Sequence, residues 1–433
     1  MKYKKYSSYK DSGVEWLGEI PSEWKCVKTA YFFKAAMGQT ILKEDLEDDG
    51  IYPVYSATME DKFFGYINNP LVILNKDDLV IPARGNSIGN VKLVTEKSTT
   101  TQTTIYCKQI TNATNANFIY YYMNGLKDNL FYFVQTAIPQ ITVSEVISNP
   151  LLVPSIKEQQ QIANFLDKAT AKIDTLIEKQ TKQIELLKEK RQAVISHAVT
   201  KGINPNVPMK DSGVEWLGEI PEHWEVSKLR FLFSFSTGLN ITKANLIDED
   251  GIPCVNYGEI HSKYGFQVNA NKDSLKYVDK EYLITSKTSL LSEGDFVFAD
   301  TSEDVKGSGN FTHVVGDSKI FAGYHTVIAR LINNYNSRFF AYIFDSNIFR
   351  TQIQLSIKGV KVFSITQAIL KNCLIWFPVI EEQQQIANYL DEKTLKIDIL
   401  IEKSNKSIEL LKEKRTALIS AAVTGKIDVR EFE

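Results

Sequence analysis

The groups in this 433-residue sequence that could attack a carbonyl, shuttle a proton or hold a metal are few and badly spaced for it. His197, His223, His261, His313 and His325 are scattered, with no two at ligand spacing. Cys26, Cys107, Cys254 and Cys373 are isolated and form no CxxC pair, so neither a zinc site nor a disulfide framework is indicated. They read as small buried thiols. There is no GxxxxGKS/T phosphate loop, no GxGxxG after a strand, no HExxH and no methyltransferase tetrapeptide of the D/N-P-P-Y/F type. "RGNSIG" (Arg84–Gly89) places its glycines for a turn, and acidic stretches such as "KEDLEDDG" read as solvated faces. The sequence therefore predicts no catalytic residue and no metal site. Hydrogen-bonding chemistry remains: Arg, Lys, Asn, Gln, Ser and Thr in short Gly-bearing loops, groups that recognise rather than react.

The bulk composition constrains what such loops recognise. Net charge is -2 with 43% hydrophobic and 24% charged residues, ordinary for a soluble globular chain. A protein held to nucleic acid by phosphate attraction alone would be clearly basic. No apolar run approaches the roughly 18 residues of a membrane span, and "MKYKKYSSYK" has no apolar stretch behind it, so a cytoplasmic location is expected.

The elements that position the loops come in duplicate. "KDSGVEWLGEIP" runs from Lys10 to Pro21 and again, letter for letter, from Lys210 to Pro221. "QQQIANFLD" (Gln159–Asp167) returns as "QQQIANYLD" (Gln383–Asp391), an offset of 224 that also matches "LIEK" and "IELLKEKR". Two tandem halves follow from this. Each ends in a long stretch free of Pro and Gly, with apolar residues at three-four spacing and helix formers elsewhere. The predicted segments are an opening segment 1–21, a domain 22–155, a helix 156–201, a linker with the repeated segment 202–221, a domain 222–379, a helix 380–424 and a tail 425–433. The apolar stripe expected to pack is Ile162, Leu166, Ile173, Leu176, Ile184 and Leu187, and in the second copy Ile386, Leu390, Ile397, Leu400, Ile408 and Leu411. Helices on the order of 60 Å long with one apolar stripe need a partner, and each other is the obvious one, paired antiparallel. The divergent regions carry short β-rich runs such as "LVILNKDDLVIPA" and "GDFVFADT" and read as two similar mixed α/β domains. The expected fold class is α+β, two such domains separated by an antiparallel two-helix coiled coil with pseudo-twofold symmetry. "DDLVIPARG" and "GDFVFADTS" align as the same strand and turn.

"SGVEWLGEIPEHWEV", a divergent domain, and then "EEQQQIANYLDEKTLKIDILIEKSNKSIELLKEKRTALISAAVTGKID" resemble the specificity subunits of Type I restriction–modification systems. The resemblance covers nearly the whole chain, in order, twice. It implies two target recognition domains, each reading one half of a split, asymmetric DNA sequence, with the helices setting the spacer. It also implies double-stranded DNA, two methyltransferase subunits and two motor-nuclease subunits as partners, with S-adenosylmethionine and ATP/Mg on those partners and no cofactor on this chain. One added helical turn, about 6 Å, is expected to lengthen the unread spacer by roughly two base pairs. A protein-interaction scaffold built on a coiled coil is the rival reading. On the resemblance, candidate base readers are Arg84, Asn86, Ser87, Lys92, Thr101 and Gln102 in the first domain. In the second they are Asn240, Thr242, Lys243, Thr301, Ser302, Lys306, Ser308, His325, Lys358 and Lys361. For the run Thr99–Thr104 an ordinary β-strand is the competing assignment. The first domain is slightly acidic and the second near neutral, so partners are expected to supply much of the phosphate contact.

Overall fold

The two Pro- and Gly-free stretches form single helices, Ile156–Lys201 and Ile380–Val423, as their periodicity predicts. The computed structural model describes residues 3–59, 62–131, 139–357, 359 and 362–432. The chain divides into two compact units, Met1–Thr181 with Asn405–Glu433, and Lys182–Ser404, so each long helix gives half its length to each unit. Within the first unit the helices run antiparallel: Gln161 donates at 3.1 Å to the carbonyl of Arg430, in the tail just past the second helix, and further along Arg415 donates to Asp174 at 2.9 Å. Within the second, Trp376 donates to the carbonyl of Val199 and Arg191 donates to Asp398 at 3.2 Å, again with one number falling as the other rises.

The predicted stripe is largely right. Ile162, Leu166, Ile173, Ile184, Ile386, Leu390 and Ile397 are buried, and Leu187, Ile408 and Leu411 are half-buried. Leu176 and Leu400 are corrections, being 48% and 45% exposed. From Ile173 a step of four residues, to Ile177, returns closer to the inward direction than a step of three, to Leu176. Ile177 and Ile401 accordingly take the half-buried positions.

In the first unit an antiparallel sheet orders the strands Phe33–Met37, Thr104–Gln109, Leu79–Pro82 and Lys92–Leu93, and a smaller one joins Gly65–Ile67, Tyr52–Tyr55 and Thr99–Thr100. The second unit repeats the plan. Its five-stranded sheet orders Phe233–Thr237, Thr326–Leu331, Phe296–Ala299, Phe311–Val314 and Gln267–Val268, beside a four-stranded sheet built around Ile252–Val255 and Ile320–Ala322. One apolar core in each unit joins the sheet to the long helices. In the first unit Leu79, Ile81, Ile105 and Phe118 pack with Ile162, Leu166, Ile419 and Val423. In the second Phe296, Phe298, Phe339 and Phe344 pack with Ile195, Val199, Ile386 and Leu390.

The duplicated twelve residues form the same hairpin in both units. Tyr9–Asp11 pairs with Glu19–Pro21, and Met209–Asp211 with Glu219–Pro221, in equivalent register. In each, the Asp carboxylate at its first turn (Asp11, Asp211) accepts from the amide of Gly13 or Gly213 at 2.9 Å, with both glycines at φ 73°. Leu17, Ile20 and Trp24 are buried, whereas the apolar Trp16 beside them is 38% exposed.

Candidate nucleic-acid interface

The repeated residues on the long helices bolt each domain to its helix. In the first unit Glu158 accepts from Trp24 Nε1 at 3.1 Å, and Gln159 accepts from the Asn115 amide at 2.7 Å while donating to the carbonyl of Pro154. Asp167 accepts from the Tyr121 hydroxyl at 2.7 Å. The second unit has the same set: Glu382 with Trp224, Gln383 with Asn336 and Pro378, and Asp391 with Tyr342. Asn115 and Asn336 each cap the helix that follows, accepting from Phe118 and Phe339. The identical residues thus hold the frame, and the exposed loops on it are free to differ.

The strand-and-turn alignment made from sequence holds in three dimensions. After the central strand Leu79–Pro82, Ala83 accepts from the amide of Ile141 at 3.0 Å, and Arg84 bridges Gln140. After Phe296–Ala299, Asp300 accepts from the amide of Ile365 at 2.7 Å, and Thr301 pairs with Ser364. Arg84 therefore stands where Thr301 stands, at the junction of two segments joined by the same backbone bond. A guanidinium at one and a hydroxyl at the other give the two domains different donors at the same place.

The candidate readers separate into those that reach solvent and those that do not. Arg84 and Asn86 are exposed in the first domain, and Asn240, Thr242, Lys243, Lys306 and His325 in the second, with Thr301 half-buried. Gln102 is half-buried and its side-chain carbonyl accepts from Ile41, so it braces a loop. Five candidates are corrections. Ser87, Lys92, Thr101, Ser302 and Ser308 are buried. Lys92 Nζ lies 2.7 Å from Thr58 Oγ1, Thr101 bonds Thr103, and Ser302 and Ser308 both donate to the carbonyl of Asp304. These groups spend their polar atoms on shaping loops from inside. The threonine run is strand and turn, with Thr100 and Thr104 hydrogen-bonded to each other in the core. Lys358 and Lys361 lie outside the described residues.

Sequence reasoning missed the residues that organise the second domain's loops. His261 presents Nε2 to the carbonyl of Thr301 at 2.8 Å and Nδ1 to the Asn310 amide at 2.8 Å. A carbonyl only accepts, so Nε2 is the donor to Thr301. Arg350 donates to Asn310 Oδ1 at 2.9 Å and faces Asp345, which accepts from Arg191 of the long helix at 2.9 Å. Burial lowers the Arg350 pKa, and Asp345 opposes that only in part. The position of Asp345 is taken in the first domain by Asn124, whose amide instead bonds the backbone of Val91. Deeper in the sheet, burial pushes His313 down to about 3, helped by the Arg338 charge. The only signal in sequence for these residues was their polarity among hydrophobic strands, which names no partner.

Among the described residues no cluster of three or more His, Cys, Asp or Glu side chains is placed to hold a metal ion, and no helix is long and apolar enough to cross a membrane. The chemistry on display is hydrogen bonding by loops on a fixed frame. Comparison with known proteins gives that frame a family. The Type I restriction modification DNA specificity domain matches twice, over residues 21–186 and 221–410. The MjaVIII specificity subunit of a Type I restriction enzyme from Methanocaldococcus jannaschii is 26% identical over 427 residues, 95% of each chain. Among solved structures, a chain of a type I R-M system, studied for its complex assembly and conformational transition, superposes with TM-score 0.70 at 14% identity, covering 94% of this chain and 99% of that one. The HsdS subunit from Thermoanaerobacter tengcongensis superposes with TM-score 0.51 at 13% identity over 94% and 98%. With the domain matched in both halves, the chain belongs to the Type I restriction–modification DNA specificity family.

Proposed function

We propose that each of the two domains reads one half of a bipartite, asymmetric DNA target for a Type I restriction–modification complex, and that this chain performs no covalent chemistry itself. Its long helices set the unread spacer and dock two methyltransferase subunits, and two motor-nuclease subunits join the full complex. S-adenosylmethionine and ATP/Mg belong to those partners. The observation that carries this reading is the division of labour along the repeat. Glu158/Glu382, Gln159/Gln383 and Asp167/Asp391 keep identity and partners in both units, while Arg84 and Thr301 occupy one position with different chemistry. A scaffold that binds proteins has no need to hold its frame constant and vary its loops in this pattern. Methylation mapping of the complex tests the proposal. Arg84→Ala is expected to lower methylation of the cognate site by roughly tenfold to a hundredfold, the range for losing one base contact, with subunit assembly intact. Unchanged methylation would remove this loop from the interface.

A further inference from the structure

In the second domain the loop after the central strand, the helix Tyr257–Ser262 and the turn at His325 enclose a cavity of about 630 Å³. One wall is aromatic, with the Tyr257 ring 5.3 Å from His325 and 5.6 Å from Tyr324. The floor is fixed and already satisfied: both nitrogens of His261 are used, and Asn310 is held between His261 and Arg350. The charged groups left uncommitted at the rim are acidic, beside the hydroxyls of Tyr257 and Thr301. Among the described residues Glu303 makes no hydrogen bond or ion pair, and the Asp304 carboxylate spends only Oδ1, on the amide of Gly307. No Lys or Arg lines the cavity among the described residues.

These groups decide between the parts of a DNA duplex. Carboxylates at the rim repel phosphate, so the cavity does not serve the backbone. They are acceptors without donors, and the donors that base pairs offer in the major groove are the exocyclic amino groups of cytosine (N4) and adenine (N6). An aromatic wall with Val362 beside it suits the apolar part of a base edge, the C–H groups beside the amino group. We propose that this cavity is a specificity pocket for one amino-bearing base, with Glu303 accepting from the amino group and Tyr257 and His325 packing against the same base edge. The inference rests on the reading of this chain as a DNA-specificity subunit and adds which residues and which base chemistry the second domain uses.

The test uses the chain in complex with its methyltransferase subunits and a duplex bearing the mapped target. Each adenine and cytosine of the target is replaced in turn by an analogue lacking the exocyclic amino group. With the unaltered protein, one position in one half-site is expected to lose roughly tenfold to a hundredfold in affinity. In Glu303→Ala, which removes the acceptor, that same replacement is expected to cost far less, with losses at all other positions unchanged. Glu303 is exposed, so the variant keeps the fold. Identical analogue losses in both proteins would overturn the pocket while leaving the specificity function standing. So would a variant that binds every duplex more tightly by one factor, since Glu303 would then act only as a charge. A complex that binds all duplexes alike would overturn the specificity function, and the pocket with it.

Discussion

Gly202 and Gly425 close the two long helices at equivalent places, and substituting alanine at each should have unequal consequences that the geometry fixes in advance. Both are left-handed, at φ 72° and 70°. Gly425 ends its helix with a paired cap, Lys426 donating to the carbonyl of Ala421 at 2.9 Å and Gly425 to Ala422 at 3.3 Å; Gly202 uses the simpler single bond to Ala198 at 3.1 Å. Alanine in this conformation costs about 1–2 kcal/mol at either site. The surroundings then differ. A methyl carbon at Gly425 would stand 2.4 Å from two ring carbons of Pro21, which the hairpin strand Glu19–Pro21 holds rigidly. At Gly202 the nearest atom is a Glu382 carboxylate oxygen at 3.4 Å, an ordinary distance. Forced packing against a fixed ring adds roughly 1–3 kcal/mol. Gly202→Ala is therefore expected to cost about 1–2 kcal/mol and Gly425→Ala about 2–5 kcal/mol. For units of this size each kcal/mol lowers the melting temperature by roughly 2–4 °C. Calorimetric melting of both variants, with hydrogen exchange over residues 9–24 and 209–224, measures the difference. Equal losses, or a greater loss at Gly202, would refute the claim that the first hairpin is seated against the end of the second helix by direct contact with Gly425.

Two further predictions concern buried charge. Arg191→Ala strips the nearer of two partners from Asp345, whose side chain is 11% exposed and which keeps Arg350 at 3.8 Å, and is expected to destabilise the second unit by about 1.5–3 kcal/mol. The equivalent Arg415→Ala breaks a pair exposed by 35% and 51% and is expected to cost under about 1 kcal/mol, both read by chemical denaturation followed by tryptophan fluorescence. His313 is held neutral with its pKa near 3, so the unfolded chain binds a proton below about 6.5 that the folded chain refuses. Stability contributed by His313 is present above pH 6.5 and falls at up to about 1.4 kcal/mol per unit as pH drops toward 3. His313→Gln should flatten that slope in urea titrations between pH 6.5 and 5.

Some of this protein is written locally and some is not. The long helices were legible because their signal is periodic and uninterrupted, and both boundaries fall where Pro154, Gly202, Pro378 and Gly425 place them. The duplication was legible as identity alone. Its meaning was not, because Glu158 meets Trp24 across 134 residues and the Tyr9 hydroxyl donates to the Gly425 carbonyl across 416. The weakest reading was of the loops. Lys92 and the threonines look like base readers by residue type, yet sit inside, because a polar side chain can turn inward wherever a buried partner satisfies it. His261 and Asn310 look incidental in sequence, yet fix the cavity floor through one another.

The sequence by itself determined two halves, two long antiparallel-prone helices, an invariant frame with divergent domains between, and the lack of any catalytic motif. These depend on periodicity and repetition, which are properties of neighbouring residues. Only the tertiary structure decided which polar side chains face solvent, which of two adjacent leucines and isoleucines faces the seam, and that Arg84 and Thr301 share one position. Those depend on burial and on partners brought together from distant parts of the chain, where the free energy of a polar group is set by what surrounds it and not by its own type.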